Sequence, residues 1–287
     1  MLTHWSSAHH VARFRAHGEI LGKLTQALSH PVNDEITLTA ALILSLAGVC
    51  SGFLNTVASS GSAVTLPIMI FLGLNPVTAN ATNRVPVVVG LAAAVWKYHR
   101  SGQLHWKEGF RLSLPTIAGA VLGTLLAANL GDMKTGYVTT FAVLFAMVVV
   151  LSNPAKWLNS DQSTQSKQTG FLIQLALFAV GIWTGLIVLD SGTMFLAVLV
   201  LMAHYPIREA NAIKAWSMGL PSLMAVMIFS AKGNINWFWA VPLSVGGILG
   251  SLIGTRVSLG SNASKWIFCV LVLVLGVQVV QLALRYL

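Results

Sequence analysis

The sequence predicts an all-α polytopic membrane protein made of two homologous repeats, each of about five membrane segments with one short segment per repeat. Three observations predict it. Hydrophobic residues make up 55% of the 287 and charged residues only 9%, against roughly 25% charged in an ordinary soluble domain. Apolar runs alternate with short polar loops along almost the whole chain. An ordered series of residues recurs in the second half at offsets of 127–133.

The composition excludes several classes. A soluble chain of this length must cover its surface with polar groups, and this one has too few. A cytosolic enzyme, a disordered protein and a secreted disulfide scaffold are therefore ruled out. Lys plus Arg is 17 and Asp plus Glu is 8, a formal net charge of +9. The cations are dispersed without a basic stripe, so nucleic acid is not expected as a partner. Cys50 and Cys269 lie in apolar runs and read as small buried hydrophobes. No secretory signal is expected at the start, because the first 35 residues lack a 7–15 residue apolar core.

Taken in order, residues 1–35 form a polar, mildly amphipathic N-terminal extension. Its histidines (His4, His9, His10, His17 and His30) have no carboxylates or cysteines at ligand spacing, so no metal site is expected. Apolar segments follow at 36–57, 60–73, 77–97, 109–130, 134–152, 169–190, 192–204, 207–230, 238–256 and 266–286. Eight have about the 17–25 residues that cross ~30 Å of hydrocarbon. The second and seventh, at 60–73 and 192–204, are short. Trp106, Trp237, Trp239 and Trp266 stand at segment ends and read as interface anchors.

The repeat is carried by particular residues. Gly48 and Gly52 match Gly181 and Gly185; Ser60-Gly61 matches Ser191-Gly192; Ala79-Asn80-Ala81 matches Ala210-Asn211-Ala212. Gly102 and Trp106 match Gly233 and Trp237, and Pro115, Gly119 and Gly123 match Pro242, Gly246 and Gly250. The order is kept throughout. The first repeat is therefore read at 36–152, the second at 169–286, and 153–168 as a polar linker. Both short segments come second in their own repeat, where a transporter binding site is expected. If the short segments span, the repeats are inverted; if they are re-entrant, the repeats are parallel. Lys97, Arg100, Lys107 and Arg111 mark one loop as cytoplasmic, and its counterpart carries only Lys232. That asymmetry favours inversion. Glycines four apart at Gly119 and Gly123, and at Gly246, Gly250 and Gly254, predict close helix packing.

Function must reside in the few polar groups at membrane depth. An ionisable residue there is costly and marks a candidate site. Arg84 lies eight residues past Pro76, and Lys214 eight past Pro206. Two cations from corresponding helices suggest an anion site; snorkelling, or pairing with Asp190, is the competing reading. The breaks Ser59-Ser60-Gly61 and Ser191-Gly192 each precede a short helix whose first N–H groups are unpaired within the helix. They read as anion cradles or as ordinary capped turns. Asn80, Asn83 and Asn211 complete the candidate substrate-binding set. Asp190 is read as a coupling residue that carries a proton, or as a helix cap paired with Lys214. No catalytic motif and no ATP-binding loop is present, so neither enzyme activity nor ATP use is expected. No cofactor and no metal are expected.

The segment GVCSGFLNTVASSGSAVTLPIMIFLGLNPVTANATN resembles the signature of the TauE/SafE group, the sulfite exporter (TSUP) family. The second copy, GIWTGLIVLDSGTMFLAVLVLMAHYPIREANAIK, resembles it more weakly. The likeness spans about 36–286 and leaves the extension uncovered. It implies a multi-pass inner-membrane secondary transporter of small sulfur-containing anions, such as sulfite, sulfoacetate or related organosulfonates, with protons as a candidate coupling ion. An uncoupled anion channel or an integral membrane enzyme acting on a small anion is the alternative.

Overall fold

The computed structural model describes residues 37–127, 145, 147–160, 166–186 and 191–286. The extension 1–35 and Asp190 lie outside the described residues. Every regular element described is helical. In order these are α1 (Leu38–Val57), α2 (Ser62–Phe71), α3 (Pro76–Arg100), α4 (Trp106–Ala127), α5 (Pro154–Leu158), α6 (Phe171–Leu186), α7 (Ser191–Ala197), α8 (Ile207–Ala231), α9 (Trp237–Leu259) and α10 (Ala263–Tyr286). α7 continues as a π-helical turn over Val198–Met202. Among the described helices four are long and apolar enough to cross a membrane: α1, α8, α9 and residues 263–280 of α10.

Local chemistry starts these helices. The Thr37 hydroxyl accepts from Ala40 N at 3.3 Å at the start of α1. Asn75 accepts from Thr78 N at 2.9 Å before α3, with Pro76 at the first helical position. Asn236 accepts from Trp239 N at 3.3 Å before α9. Each side chain pairs an N–H that the helix leaves free.

Glycine sets the tightest packing. A methyl group at Gly48 or Gly52 would overlap the backbone of Leu243 or Gly247 in α9, and one at Gly246 or Gly250 would overlap the carbonyls of Ser45 or Val49 in α1. α4 and α6 meet likewise: Gly119 lies against the Phe178 carbonyl, Gly123 against that of Ile182, and Gly181 against that of Thr116. Without side chains the backbones approach closely enough for dispersion to hold them in lipid. This is the packing that the glycine spacing predicts.

These contacts fix chain directions. α1 runs parallel to α9, since Ser45 and Val49 climb with Gly246 and Gly250. α4 runs parallel to α6 by the same logic. α4 and α8 start on one face, because Lys167 Nζ lies 3.9 Å from Glu108 and 2.5 Å from Glu209. α3 ends on that same linker face, joined to α4 by the short loop 101–105. α9 starts on the far face, where α8 ends, and α1 starts there too. α1 and α6 therefore run in opposite directions. Each is followed by a short helix that returns to its own starting face, so α1–α2 and α6–α7 are hairpins entering from opposite faces.

The linker is tied down on both sides of its undescribed middle. Trp157 is fully buried, Lys156 Nζ donates to Leu201 O at 3.3 Å, and Gln168 N donates to Ala203 O at 3.0 Å. Lys167 also stands 5.3 Å over the Tyr205 ring. Burial, then the charges of Glu108 and Glu209, push the Tyr205 hydroxyl up to about 12, so it remains neutral at physiological pH.

Two sequence expectations are corrected. Cys50 and Cys269 are exposed on the bundle surface, where a small apolar thiol suits lipid as well as core. Trp239 is only 8% exposed; it packs with Leu44, Met69 and Leu243, whereas Trp106, Trp237 and Trp266 are exposed. Near the start of α8, Glu209 is paired with Lys167.

Gly246→Val and Gly119→Val should each lower thermal stability by at least the ~1–3 kcal/mol of an overpacked contact. Gly276→Ala, which meets nothing within 4 Å, should stay within about 0.5 kcal/mol of the parent. Melting of the detergent-solubilised variants checks both; equal melts across the three would overturn the packing argument.

Candidate functional site

The two hairpin tips meet. At the first, Ala58 N and Ser59 N both donate to Leu54 O, at 2.7 and 2.8 Å. Ser59 takes φ 64°, the left-handed conformation that ends many helices and that glycine usually supplies. Gly61 N donates to Asn55 Oδ1 at 2.9 Å, so the first N–H of the α2 cradle is already taken. Asn83 of α3 straps the start of α2, donating to Ser62 Oγ at 2.9 Å and accepting from Thr65 Oγ1 at 2.6 Å.

The second tip packs directly on the first. Thr193 Oγ1 donates to Ala58 O at 2.9 Å. A Cβ at Gly192 would overlap the Ser59 hydroxyl and stand 3.3 Å from Lys214 Cδ. Only glycine leaves room for both. Lys214 threads between the tips from α8 and donates to Thr56 O at 2.8 Å, with Asn55 O at 3.4 Å. Its side chain is fully buried. The last carbonyls of a helix have no partner within it and form the negative pole of its dipole. The Lys214 ammonium satisfies them where water is scarce.

A cavity of about 320 Å³ opens beside the tips. Its polar wall is Asn55, Ser59, Ser62, Arg84, Thr184, Ser191 and Ser222; its apolar wall is Val87, Leu91, Ala120, Met218, Pro221, Ala225 and Phe229, with Gly192 at the tip. The lining climbs α8 from Met218 to Phe229, toward the far face. Toward the linker face the bundle is closed: Ser113 and Ser217 share a hydrogen bond of 2.6 Å between α4 and α8, above a packed core containing Phe195, Leu199 and Ile213. Arg84 Nη2 reaches Asn80 Oδ1 at 3.4 Å. Its Nε is buried without a hydrogen-bond partner, and among the described residues no carboxylate pairs with it.

The structure therefore sorts the residues singled out in the sequence. Ser59, Arg84, Ser191 and Gly192 line the cavity. Asn80 holds Arg84 from one turn earlier. Ser60, Gly61 and Asn83 shape the first tip without lining the cavity. Asn211 is elsewhere, donating to Ser258 Oγ at 3.2 Å between α8 and α9. Lys214 does not line the cavity, because the end of α1 takes its ammonium. Asp190 lies outside the described residues. Sequence reasoning left out Thr184 and Ser222, each of which returns its hydroxyl to a carbonyl one turn back, Val180 and Met218. Neither carries a signal that separates it from an ordinary helix serine or threonine.

The sulfite exporter TauE/SafE family model matches residues 44–279. The chain belongs to this family. Among similar proteins, the probable membrane transporter protein ORF9 of Sinorhizobium sp is 28% identical over 222 residues, covering 77% of this chain and 84% of the relative. The probable membrane transporter protein YfcA of Escherichia coli (strain K12) is 22% identical over 243 residues, covering 84% and 88%. YunE of Bacillus subtilis (strain 168), also a probable membrane transporter protein, is 19% identical over 265 residues, covering 83% and 97%. No solved structure matches. The TauE/SafE chain is thus a multi-pass membrane transporter, not an enzyme.

Two substitutions probe the tips. Gly192→Ala should force Ser59 and Lys214 apart and lower stability by about 1–3 kcal/mol. Ser59→Gly should relieve the left-handed strain, worth roughly 1–2 kcal/mol, and hold or raise the melting temperature while removing a hydroxyl from the cavity. A Ser59→Gly variant that melts below the parent would contradict the tip geometry.

Proposed function

We propose that this chain is a secondary transporter of small sulfur-containing anions (sulfite, sulfoacetate or related organosulfonates), bound in the cavity between the hairpin tips near mid-membrane. The observation that carries the reading is Arg84. A guanidinium on the wall of a buried cavity, with its Nε unpartnered, is costly unless an anion completes it. Hydroxyls from Ser59 and Ser62 face the same space and suit the oxygens of a sulfonate. The family's description as sulfite exporters supports the substrate class.

The proposal includes an inverted duplication of 36–152 and 169–286. Its support is the equivalence of the helix contacts. Gly246 meets Ser45 as Gly119 meets Phe178, and Gly48 meets Leu243 as Gly181 meets Thr116; the paired residues differ by the offsets 127 and 133 found in the sequence. The opposed directions of α1 and α6 suit inversion. An arrangement of this kind presents the tips from opposite faces and lets the site open to either. Proton coupling through Asp190 enters on sequence grounds: a desolvated carboxyl beside the second tip would link proton release to anion binding.

Uptake of a labelled sulfonate into proteoliposomes tests the function. Arg84→Ala should weaken binding about ten- to a hundredfold, as expected for a lost charge-assisted hydrogen bond of ~1.5–3 kcal/mol. Unchanged binding by a folded Arg84→Ala protein would remove Arg84 from the site. Asp190→Asn should abolish gradient-driven accumulation and flatten the pH dependence of sulfonate uptake. Identical pH profiles for parent and variant would refute the coupling. Flux indifferent to any ion gradient in the parent protein would favour a channel.

A further inference from the structure

A second concavity, of about 380 Å³, runs along the outside of the bundle in the seam between α3 and α8. It is separate from the cavity beside Arg84, with Leu91 as a wall common to both. Val88, Ala92 and Val95 of α3 and Gly219, Leu220 and Leu223 of α8 line it. Small residues keep it open. Gly219 lies inside α8, where glycine weakens a helix. The glycines between α1 and α9 are needed for close packing, but a Cβ at Gly219 would meet nothing within 4 Å. Its missing side chain leaves room in the groove.

Toward the linker face the groove ends between Trp96, His99, Trp106 and Trp216. The His99 and Trp106 rings stand 5.2 Å apart, and Trp216 meets Trp106 edge-on at 5.0 Å. Aromatic rings gather in this way at the level of lipid headgroups. Trp216 Nε1 is buried without a hydrogen-bond partner, and a lipid ester oxygen can accept from it. The Arg100 guanidinium lies 5.1 Å over the Trp96 ring. Lys97 shares the last turn of α3, and Lys107 is in the first turn of α4. Among the described residues no carboxylate pairs with these three cations. The opposite ends of α3 and α8, residues 72–76 and 231–236, carry only Lys232.

From Val88 to His99, α3 rises ~16 Å, which is about the depth of one leaflet of a ~30 Å hydrocarbon core. The groove thus fits an apolar chain one leaflet long that ends in negative charge. We propose that it binds an anionic phospholipid of the leaflet at the linker face, with one acyl chain along α3 and α8 and the headgroup against Lys97, Arg100 and Lys107. Basic side chains at the end of a groove between membrane helices select for net negative headgroups.

Native mass spectrometry of the full chain, delipidated in detergent and titrated with dioleoylphosphatidylglycerol or dioleoylphosphatidylcholine, tests this. The first phosphatidylglycerol should bind at least about tenfold more tightly than the first phosphatidylcholine, as expected for several basic side chains near one anionic headgroup. Arg100→Ala should weaken that complex about fivefold, the share of one such side chain, and leave phosphatidylcholine unchanged. Gly219→Leu puts its side chain into open space, so it should melt no lower than the parent yet lose the first phosphatidylglycerol. Ala92→Leu fills the groove from the opposite wall and should give the same loss even if Gly219→Leu does not fold. Equal affinity for the two lipids in the parent would overturn the proposal. So would a folded Gly219→Leu or Ala92→Leu protein that binds phosphatidylglycerol as the parent does. A parent dimer that Gly219→Leu converts to monomer would assign the groove to a second copy of the chain and overturn it as well. Each of these failures would leave the anion reading of the Arg84 cavity standing.

Discussion

Helix α1 ends in the middle of this bundle, where a membrane offers its last carbonyls almost no water. The Lys214 ammonium against the final turn of α1 is the interaction on which the site depends. It ties α8 to the first hairpin, and the lysine stem passes the one residue, Gly192, that leaves space for it. Thr193 adds a hydrogen bond from the second tip to Ala58 O. The two tips are therefore one polar junction, assembled from α1, α7 and α8, in which charge, helix pole and hydroxyl offset one another.

The remaining architecture holds the two hairpins in place around that junction. In lipid, helices gain little by hiding apolar side chains, so association relies on close packing. Glycines provide it twice, between α1 and α9 and between α4 and α6. Each hairpin is thereby braced by a helix from the other half of the chain. Lys156 and Lys167 fasten the linker against the end of the π-helical turn and the starts of α4 and α8. Closure is thus strong at the linker face, while the cavity leads toward the far face. A transporter needs that asymmetry to be reversible; the Ser113–Ser217 contact is a small polar closure of the kind that can part.

Much of this was legible in the sequence. Low charge and long apolar runs identify a polytopic membrane protein by simple solvation arithmetic. Proline, asparagine and threonine mark helix starts because caps are local. Repeated glycines report close backbone approach, because no other residue permits it. The ordered recurrence of these small residues pointed to two like halves, and the Ser-Gly breaks to the tips. Arg84 stood out because a cation at depth in an apolar segment is rare. The family resemblance rests on these same residues, and the family match spans nearly the same stretch.

What the sequence could not decide was the division of labour between its two cations. Arg84 and Lys214 occupy similar places in similar helices, and read along the chain they form a pair. The fold separates them: α1 ends beside Lys214, 158 residues away in the chain, and its carbonyls bind the ammonium. Arg84 instead stands on the cavity wall, its Nε without a partner among the described residues. The same holds for Thr184 and Ser222, ordinary helix hydroxyls until two helices place them on one space. Composition, caps and close-packing glycines follow from local physics and are written in the sequence. The free charge is a residual, what remains after long-range partners have been satisfied, and only the tertiary structure determines it.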